Sequence, residues 1–253
     1  MGNVIRKMGL TVEIYKTRKA MGEAAGKKAE ELIVQYLKLK KEVRIIAGSA
    51  PSQNEIIAYL AKSKAIDWSR VTAFHMDEYI GIAEDSPQSF GKWMKDRLFG
   101  RVPLKNAHYI WPGNDPEKEC ERYAALLKKA PIDVVLAGIG ENGHLAFNDP
   151  PVADFKDPLT VKIISLDPVC RNQQLNDGCF PTLKDVPKRA ITLTIPILVS
   201  ASSIVCTVPG AKKAAAVGRM FNGPVETKCP ASIMRYHKDC HIFLDTESGK
   251  DLL

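Results

Sequence analysis

The sequence predicts an α/β protein, and three observations carry this prediction. Short apolar runs rich in β-branched residues alternate with longer amphipathic segments along the chain, as in folds built from β-α-β units. Some of these runs are nearly uninterrupted, which is typical of strands buried on both faces of a parallel sheet. The 253 residues are 45% hydrophobic and 26% charged and show no internal repeat or boundary. We therefore expect one domain over residues 1–253, a Rossmann-like open sheet, mostly parallel, with helices on both faces.

Hydrophobic periodicity and turn residues place the individual elements in order. We predict strands at residues 10–15, 43–47, 71–76, 132–137, 190–195, 203–208 and 240–245. Helical periodicity predicts helices at residues 17–40, 52–63, 87–99, 115–129, 211–221 and 231–236. The assignment of the fourth helix also depends on Asp115, a good N-cap residue immediately before Pro116.

The stretch from Ile132 to Pro150 holds the densest chemical signal. Its strand ends in three glycines, Gly138, Gly140 and Gly143, and His144 follows directly. A titratable imidazole at the carboxyl end of a buried strand lies where open α/β sheets bind ligands. Asp149 comes five residues after the histidine and supplies a nearby carboxylate.

Two other interpretations of this stretch are weaker. The glycine spacing matches a dinucleotide fingerprint, but that site needs a helix at the third glycine, and the prolines at 150 and 151 prevent one. His144 as a core histidine satisfied by a backbone carbonyl is the better interpretation for an isolated histidine. Because His144 follows clustered glycines at a strand end, we favour a functional role for it.

Residues 154–188 are polar, contain several prolines and show little periodicity. A long irregular segment beside a site is either a mobile lid or a disordered insertion. We favour a lid, at about residues 151–188.

Three more strand ends carry functional residue types. Gly48 and Ser49 join a strand to a helix start, where free backbone N–H groups favour an anion. Asp77 follows the strand at 71–76, and Lys213 lies one turn into a helix that follows another strand. Because carboxyl ends of parallel strands share one edge, we expect these groups to meet His144 there, as acid–base equipment for a small anionic substrate. Considered separately, the loop at Gly48 and Ser49 is equally consistent with a simple tight turn, and Lys213 is equally consistent with an ordinary solvated lysine.

Composition excludes several classes of protein. The formal charge of +7 comes from lysines spread along the chain, so it indicates a solvated surface or attraction of anionic substrates. No basic block interleaved with aromatic residues points to nucleic acid. The six cysteines form no CxxC pair and the five histidines are scattered, so we expect free thiols and no metal site. With neither a signal sequence nor an apolar span, we expect a cytoplasmic protein without a membrane partner.

Two segments resemble the signature motifs of the glucosamine-6-phosphate deaminase (isomerase) family. They are HMDEYIG at 75–81 and GIGENGHLAFNDP at 138–150. The similarity continues through AITL at 190–193, the turn at 210–213 and CPAS at 229–232, so it covers nearly the whole chain. In the related 6-phosphogluconolactonases the first motif reads DER and the second GHTASLFP, which favours the deaminase branch.

The resemblance implies a set of site residues. In this family His144, oriented by the carboxylate at Asp149 and the polar Asn142, would transfer the proton that opens the sugar ring. Asp77 would move a proton from C2 to C1, after which water releases ammonia. Gly48, Ser49 and Lys213 would bind the phosphate. No metal and no redox cofactor is implied.

This sequence departs from the family pattern at several positions. Asp149 stands where glutamate is usual, and Asn142 where some members carry aspartate. The phosphate loop reads AGSAP at 47–51 instead of TGSTP or TGGTP. The lid arginine expected near Gln174 is absent, with Arg171 as a nearby substitute. These losses predict phosphate binding weaker by several kcal/mol, since hydrogen bonds to charged groups contribute about 1.5–3 kcal/mol each. The serine pair used for allosteric activation is not present at 152–153, so we predict no such activation.

Three hypotheses about function remain open at this point. The first is an amino-sugar-6-phosphate deaminase/isomerase, grouped with the hydrolases, that acts on a small sugar phosphate; assembly into a homo-oligomer stays open. The second is a sugar-lactone hydrolase like 6-phosphogluconolactonase. The third is a non-catalytic sugar-phosphate sensor, which usually needs a DNA-binding appendage for which this chain leaves no room.

Overall fold

A computed structural model describes residues 3–7, 9–176 and 178–253. Within these residues the chain forms eleven strands in two sheets. The strands are Asn3–Lys7 (β1), Leu10–Tyr15 (β2), Val43–Ala47 (β3), Val71–His75 (β4), Asp77–Tyr79 (β5), Asn106–His108 (β6), Val134–Ala137 (β7), Val161–Ser165 (β8), Arg189–Leu193 (β9), Ser203–Val208 (β10) and Cys240–Asp245 (β11).

The larger sheet has eight strands in the order β1-β2-β11-β10-β7-β3-β4-β6. All neighbouring pairs are parallel except the β1–β2 hairpin. The predicted open, mostly parallel sheet is therefore confirmed. The four strands whose ends carry candidate residues lie side by side as β4, β3, β7 and β10, so their carboxyl ends form one continuous edge.

Helices cover both faces of this sheet, as predicted. They are Arg18–Leu39 (α1), Asn54–Leu60 (α2), Phe90–Met94 (α3), Pro116–Leu127 (α4), Pro168–Asn176 (α5), Ile195–Val199 (α6) and Ala214–Asn222 (α7). On one face α1 and α2 pack with Ile45 in one core cluster, and on the other α4 and α7 pack with Ile46 in a second. The adjacent isoleucines separate in this way because successive strand side chains point to opposite faces. No helix in the described ranges combines the length and apolar character needed to cross a membrane.

The second sheet is antiparallel, with the order β5-β9-β8. The predicted strand at residues 190–195 is present as β9, but it belongs to this second sheet, which the hydrophobic pattern does not predict. The chain leaves the large sheet after His75, and Asp77 then pairs with Thr192 of β9. The expectation of an irregular segment at 154–188 is corrected as well, because β8 and α5 lie within it. Strand β8 is only partly buried, so its apolar signal is weak; Asp177 lies outside the described residues.

Other differences concern short or distorted elements. Strands β1 and β6 were not predicted, and both are short edge strands of the large sheet. The predicted helix at 87–99 is a short α-helix continued by π-helical turns at Lys95–Phe99. The last predicted helix is a 3-10 helix, Pro230–Tyr236. These details depend on local packing, which periodicity does not record.

Candidate active site

A cavity lies at the carboxyl ends of the four adjacent strands. Five of the predicted residues line it: Gly48, Ser49, Asp77, His144 and Lys213. Gly48 and Ser49 follow β3, Asp77 follows β4, His144 follows β7 and Lys213 follows β10. The structure therefore brings together side chains that are more than 160 residues apart in sequence.

His144 is held by two polar side chains behind it. Its Nδ1 lies 2.8 Å from Asn142 Oδ1 and 2.9 Å from Asp149 Oδ1. Asn142 Nδ2 in turn donates to Asp149 Oδ1 at 2.7 Å. Because both neighbours of Nδ1 are oxygen acceptors, that nitrogen carries the proton, and Nε2 is left as the basic nitrogen of the neutral ring.

Asp149 is suited to this supporting role despite its short side chain. It is 1% exposed, and burial alone would raise the pKa of its carboxyl. Hydrogen bonds from His144 and Asn142 outweigh burial and lower the pKa. The Asp149 side chain is one methylene shorter than glutamate, but it still reaches the imidazole and stays ionised.

Asp77 has the opposite environment. It begins β5 and is 8% exposed at the cavity wall. Burial, and secondarily the nearby charge of Glu78, raises the pKa of the Asp77 carboxyl to about 8. A carboxyl with such a pKa can exchange protons near neutral pH, as a general base must.

His75 positions this aspartate through the backbone. The Ile110 N–H donates to His75 Nε2 at 2.8 Å, so the ring proton is on Nδ1, which donates to the Asp77 carbonyl at 3.0 Å. Burial lowers the pKa of His75 to about 3, so this tautomer stays neutral. The strand pattern placed His75 and Asp77 on one side but did not predict this support.

Glu78, the next residue, has a structural role. Its carboxylate accepts hydrogen bonds from the Tyr79, Phe90 and Gly91 N–H groups and from the Ser89 hydroxyl, at 2.7–3.1 Å. It therefore joins β5 to the start of α3. Burial raises its pKa even though these hydrogen bonds oppose the shift.

The loop after β3 has the features expected of an anion site. Ser49 is 4% exposed, and its Oγ has no hydrogen-bond partner among the described residues. Gln53, which sequence reasoning missed, donates through Nε2 to the Ala137 carbonyl and Thr207 Oγ1, both at 2.9 Å. This amide connects the loop to the ends of β7 and β10.

Lys213 approaches the cavity from the turn after β10. Gly210 has a φ of +90°, a conformation that favours glycine, and its N–H donates to Asp245 Oδ2 at 2.9 Å. The turn is thereby attached to the end of β11. Lys213 follows in the first helical turn and is 9% exposed.

Arg171 does not join these residues. Its guanidinium donates to the Leu183 and Val186 carbonyls at 2.7 and 2.9 Å, and it does not line the cavity. The predicted phosphate contact of Arg171 thus disagrees with the structure, because α5 turns this side chain toward its own loop. Gln173 and Gln174 of α5 line the cavity instead.

Arg18 also lines the cavity, and sequence reasoning missed it. As the first residue of α1 it was grouped with a solvated helix. No signal in the sequence near Arg18 indicates that this helix starts beside the site, since that depends on how α1 packs on the sheet.

Three potential metal ligands gather behind the site. Donor atoms of His144, Asp149 and Cys170 lie within 4.8 Å of one another. The His144 Nδ1 proton already points at Asp149, so this nitrogen offers no lone pair to a metal. Hydrogen bonding explains the cluster, and the expectation of a metal-free site stays a prediction.

Residues 16–243 match the sequence profile of the family described as glucosamine-6-phosphate isomerases/6-phosphogluconolactonase. The chain belongs to this family. The glucosamine-6-phosphate deaminase of Exiguobacterium sibiricum is 36% identical to it over 231 residues, covering 88% of this chain and 89% of that protein. The corresponding deaminase of Listeria innocua is 34% identical over 228 residues, covering 89% of this chain and 94% of that protein.

Solved structures show that the whole fold is shared with this isomerase/lactonase family. A monomeric glucosamine-6-phosphate deaminase superposes with a TM-score of 0.86 at 27% identity, covering 95% of this chain and 99% of that one. The 6-phosphogluconolactonase of Trypanosoma brucei gives a TM-score of 0.79 at 16% identity, covering 96% and 98%. The lactonase comparison establishes the fold alone.

Proposed function

We propose that this protein is an amino-sugar-6-phosphate deaminase that converts glucosamine 6-phosphate, or a close analogue, into a ketose phosphate and ammonia. The observation that carries the proposal is that Asp77 and His144 line one cavity together with the Ser49 loop and Lys213. The names of the two curated relatives support the same substrate.

The first proposed step is ring opening by His144. The neutral imidazole takes the proton of the C1 hydroxyl at Nε2, the bond from C1 to the ring oxygen breaks, and the imidazolium gives that proton to the ring oxygen. Asn142 and Asp149 hold the Nδ1 proton and stabilise the transient imidazolium. The product is the open-chain aldehyde with an amine at C2.

The second proposed step is proton transfer by Asp77. Its ionised carboxylate removes the proton from C2, the protonated amine at C2 gives a proton to the aldehyde oxygen, and a 1-hydroxy enamine forms between C1 and C2. Asp77 then returns its proton to C1, which leaves a protonated imine at C2. Water adds to this carbon and the nitrogen leaves as ammonia with its extra proton, so the overall reaction consumes one water and releases one ammonia. Because every step moves protons or water, we propose that no redox cofactor is needed.

A single set of assays tests this proposal. Ammonia release is measured with glucosamine 6-phosphate, galactosamine 6-phosphate and the two unphosphorylated sugars, and lactone hydrolysis with 6-phosphogluconolactone. We expect ammonia from at least one phosphorylated amino sugar. Lactone hydrolysis without ammonia would establish the alternative activity, and binding without turnover of any substrate would indicate a sensor.

The Asp77→Asn variant tests the assigned base. We expect turnover to fall by at least 1000-fold, while binding of the sugar phosphate persists because the phosphate contacts lie elsewhere. Asp85→Asn, at an exposed position, is the matched control and should behave as wild type. Unchanged turnover in Asp77→Asn would show that another group is the base.

We also propose a cytoplasmic location. None of the six cysteines, all within the described residues, forms a disulfide bond, as is usual in a reducing compartment. Self-association remains a prediction, and the structural relative described as monomeric argues for testing it by sedimentation.

A further inference from the structure

We propose that Arg18 is the guanidinium that binds the phosphate group of the substrate. This inference rests on the proposed function, and it assigns to the first turn of α1 a role in choosing phosphorylated over unphosphorylated sugars. The phosphate would lie between Arg18, Ser49 and Lys213.

The position of Arg18 is set by the start of α1. Thr17 is the N-cap, and its hydroxyl accepts a hydrogen bond from the Ala20 N–H at 3.1 Å. The Arg18 side chain then extends over the loop that follows β3. Its Nε donates to Glu55 Oε1 at 2.8 Å, and Nη2 donates to the Pro51 carbonyl. The guanidinium is therefore oriented before any ligand arrives, which reduces the entropy cost of binding.

The surroundings favour an anion beside this guanidinium. Among the described residues that line the cavity, the basic side chains other than His144 are Arg18 and Lys213. The buried Ser49 Oγ has no hydrogen-bond partner among the described residues. A ligand oxygen that accepts a hydrogen bond from this hydroxyl would therefore be stabilising. A guanidinium, a hydroxyl and an ammonium that line one cavity match the three acceptor oxygens of a phosphate monoester.

Asp77 and His144 line the same cavity and supply the proton-transfer groups. A phosphate dianion beside the Asp77 carboxylate would be repelled. An elongated substrate with one charged end thus has a single favourable orientation. Because Arg171 is engaged with two backbone carbonyls, Arg18 supplies the arginine that the α5 segment does not.

The test compares Arg18→Met with wild type on matched substrates. We expect KM for glucosamine 6-phosphate to rise about 10–100-fold with kcat changed less than about threefold, since hydrogen-bonded charge pairs contribute about 1.5–3 kcal/mol. Kinetics on unphosphorylated glucosamine should not change. Inhibition by inorganic phosphate should weaken in parallel, and Arg18→Lys should recover part of the loss.

Two control variants separate phosphate binding from a structural role. Lys19→Met removes a neighbouring charge from an exposed side chain and should leave KM unchanged. Glu55→Gln keeps an acceptor for Arg18 but removes a negative charge, so KM should stay equal or fall. If Glu55→Gln raises KM as Arg18→Met does, or if Arg18→Met impairs both sugars equally, the arginine is structural and the proposal is overturned.

A binding measurement distinguishes failure of this proposal from failure of the proposed function. Calorimetric titration with glucose 6-phosphate, which has no amine to lose, reads the phosphate site without turnover. An Arg18→Met variant that binds this probe as tightly as wild type would refute the assignment even in an active enzyme. Weakened binding in a protein that releases no ammonia would uphold it while the deaminase activity failed.

Discussion

Asp77 and Asp149 differ in charge behaviour although both are largely buried. Two hydrogen bonds from neighbouring side chains lower the pKa of Asp149, whereas burial and the proximity of Glu78 raise the pKa of Asp77. A pair of carboxyls whose pKa values are moved apart can divide supporting and proton-transfer roles. This division follows from environment, because the two side chains are chemically identical.

The raised pKa of Asp77 predicts the pH dependence of catalysis. The base must be ionised to remove the C2 proton, and with a pKa of about 8 only about 1% is ionised at pH 6 and half at pH 8. We expect kcat/KM for glucosamine 6-phosphate to rise about 50-fold over this interval. A pH profile in which the rise ends below pH 6 would contradict this assignment.

The same shift predicts that the ionised Asp77 carboxylate destabilises the fold. The folded pKa lies above the unfolded value of about 3.9, so the folded state binds the proton more tightly and stability is lost as pH rises from about 4 to 8. Asp77→Asn should therefore unfold at higher denaturant concentration than wild type, with an advantage larger by a few kcal/mol at pH 9 than at pH 5. Denaturation of Asp85→Asn at both pH values provides the control, and an advantage independent of pH would refute the explanation.

At the scale of elements, the loop after β7 matters because it fits closely around His144. A Cβ built on Gly140 would lie 2.1 Å from His144 Cε1. Gly143 has a φ of +91°, and its carbonyl accepts the Ala231 N–H at 2.8 Å. The glycines therefore serve backbone approach and turn geometry, and they do not form a dinucleotide site.

This contact makes Gly140→Ala a sharp test of His144. The added methyl must displace the imidazole from its partners, so we expect kcat to fall at least 100-fold while the circular dichroism spectrum stays unchanged. Gly218→Ala is the matched control, because a Cβ there meets nothing closer than 3.7 Å and lies within α7. Full activity in Gly140→Ala would show that the position of His144 is not critical.

Helix α5 lies within the lid predicted at about residues 151–188. Gln173 Oε1 accepts the Glu141 N–H at 3.0 Å, and Gln174 Oε1 accepts the Tyr79 hydroxyl at 2.8 Å. These contacts attach one helix to both the motif loop and β5. Movement of this segment over the cavity would break or remake these two hydrogen bonds.

If α5 closes over the substrate, binding should slow its hydrogen exchange. We expect amides at 168–176 to exchange several-fold more slowly with glucose 6-phosphate bound. Amides of α4, on a face of the large sheet away from the cavity, should not change. Equal exchange of α5 with and without ligand would contradict the lid.

On the scale of the whole molecule, charge and topology act together. The protein carries a net charge of +7, and the cavity with Arg18 and Lys213 opens at one edge of the large sheet. A positively charged protein attracts an anionic substrate at long range, and dissolved salt screens this attraction.

We therefore expect kcat/KM to decrease about threefold between 20 and 300 mM sodium chloride, mainly through slower association. Steady-state kinetics over this range provide the measurement. Sucrose at equal osmolality should have no comparable effect. A salt-independent kcat/KM would show that the surface charge is not used for attraction.

Much of the site could be predicted because its residues sit at strand ends. Buried apolar runs identified the strands β3, β4, β7 and β10, and parallel topology then placed Ser49, Asp77, His144 and Lys213 at one edge. The second sheet could not be predicted, since its strands are short and β8 is half-exposed. Its existence changes how Asp77 is held, because β5 pairs with β9 and not with the large sheet.

The order of residues by itself determined the fold class and the four site segments, because strand periodicity and turn residues are local properties. The family was indicated by the resemblance of the motifs at 75–81 and 138–150. Only the tertiary structure decided that Arg18 reaches the cavity and that Arg171 does not. It also decided that His75 hydrogen-bonds to the Asp77 carbonyl and Gln53 to the Ala137 carbonyl. These contacts depend on how helices pack against the sheet, and the pKa of Asp77 depends on how much solvent that packing removes. Burial and distance between remote segments are properties of the folded chain, so no local pattern encodes them.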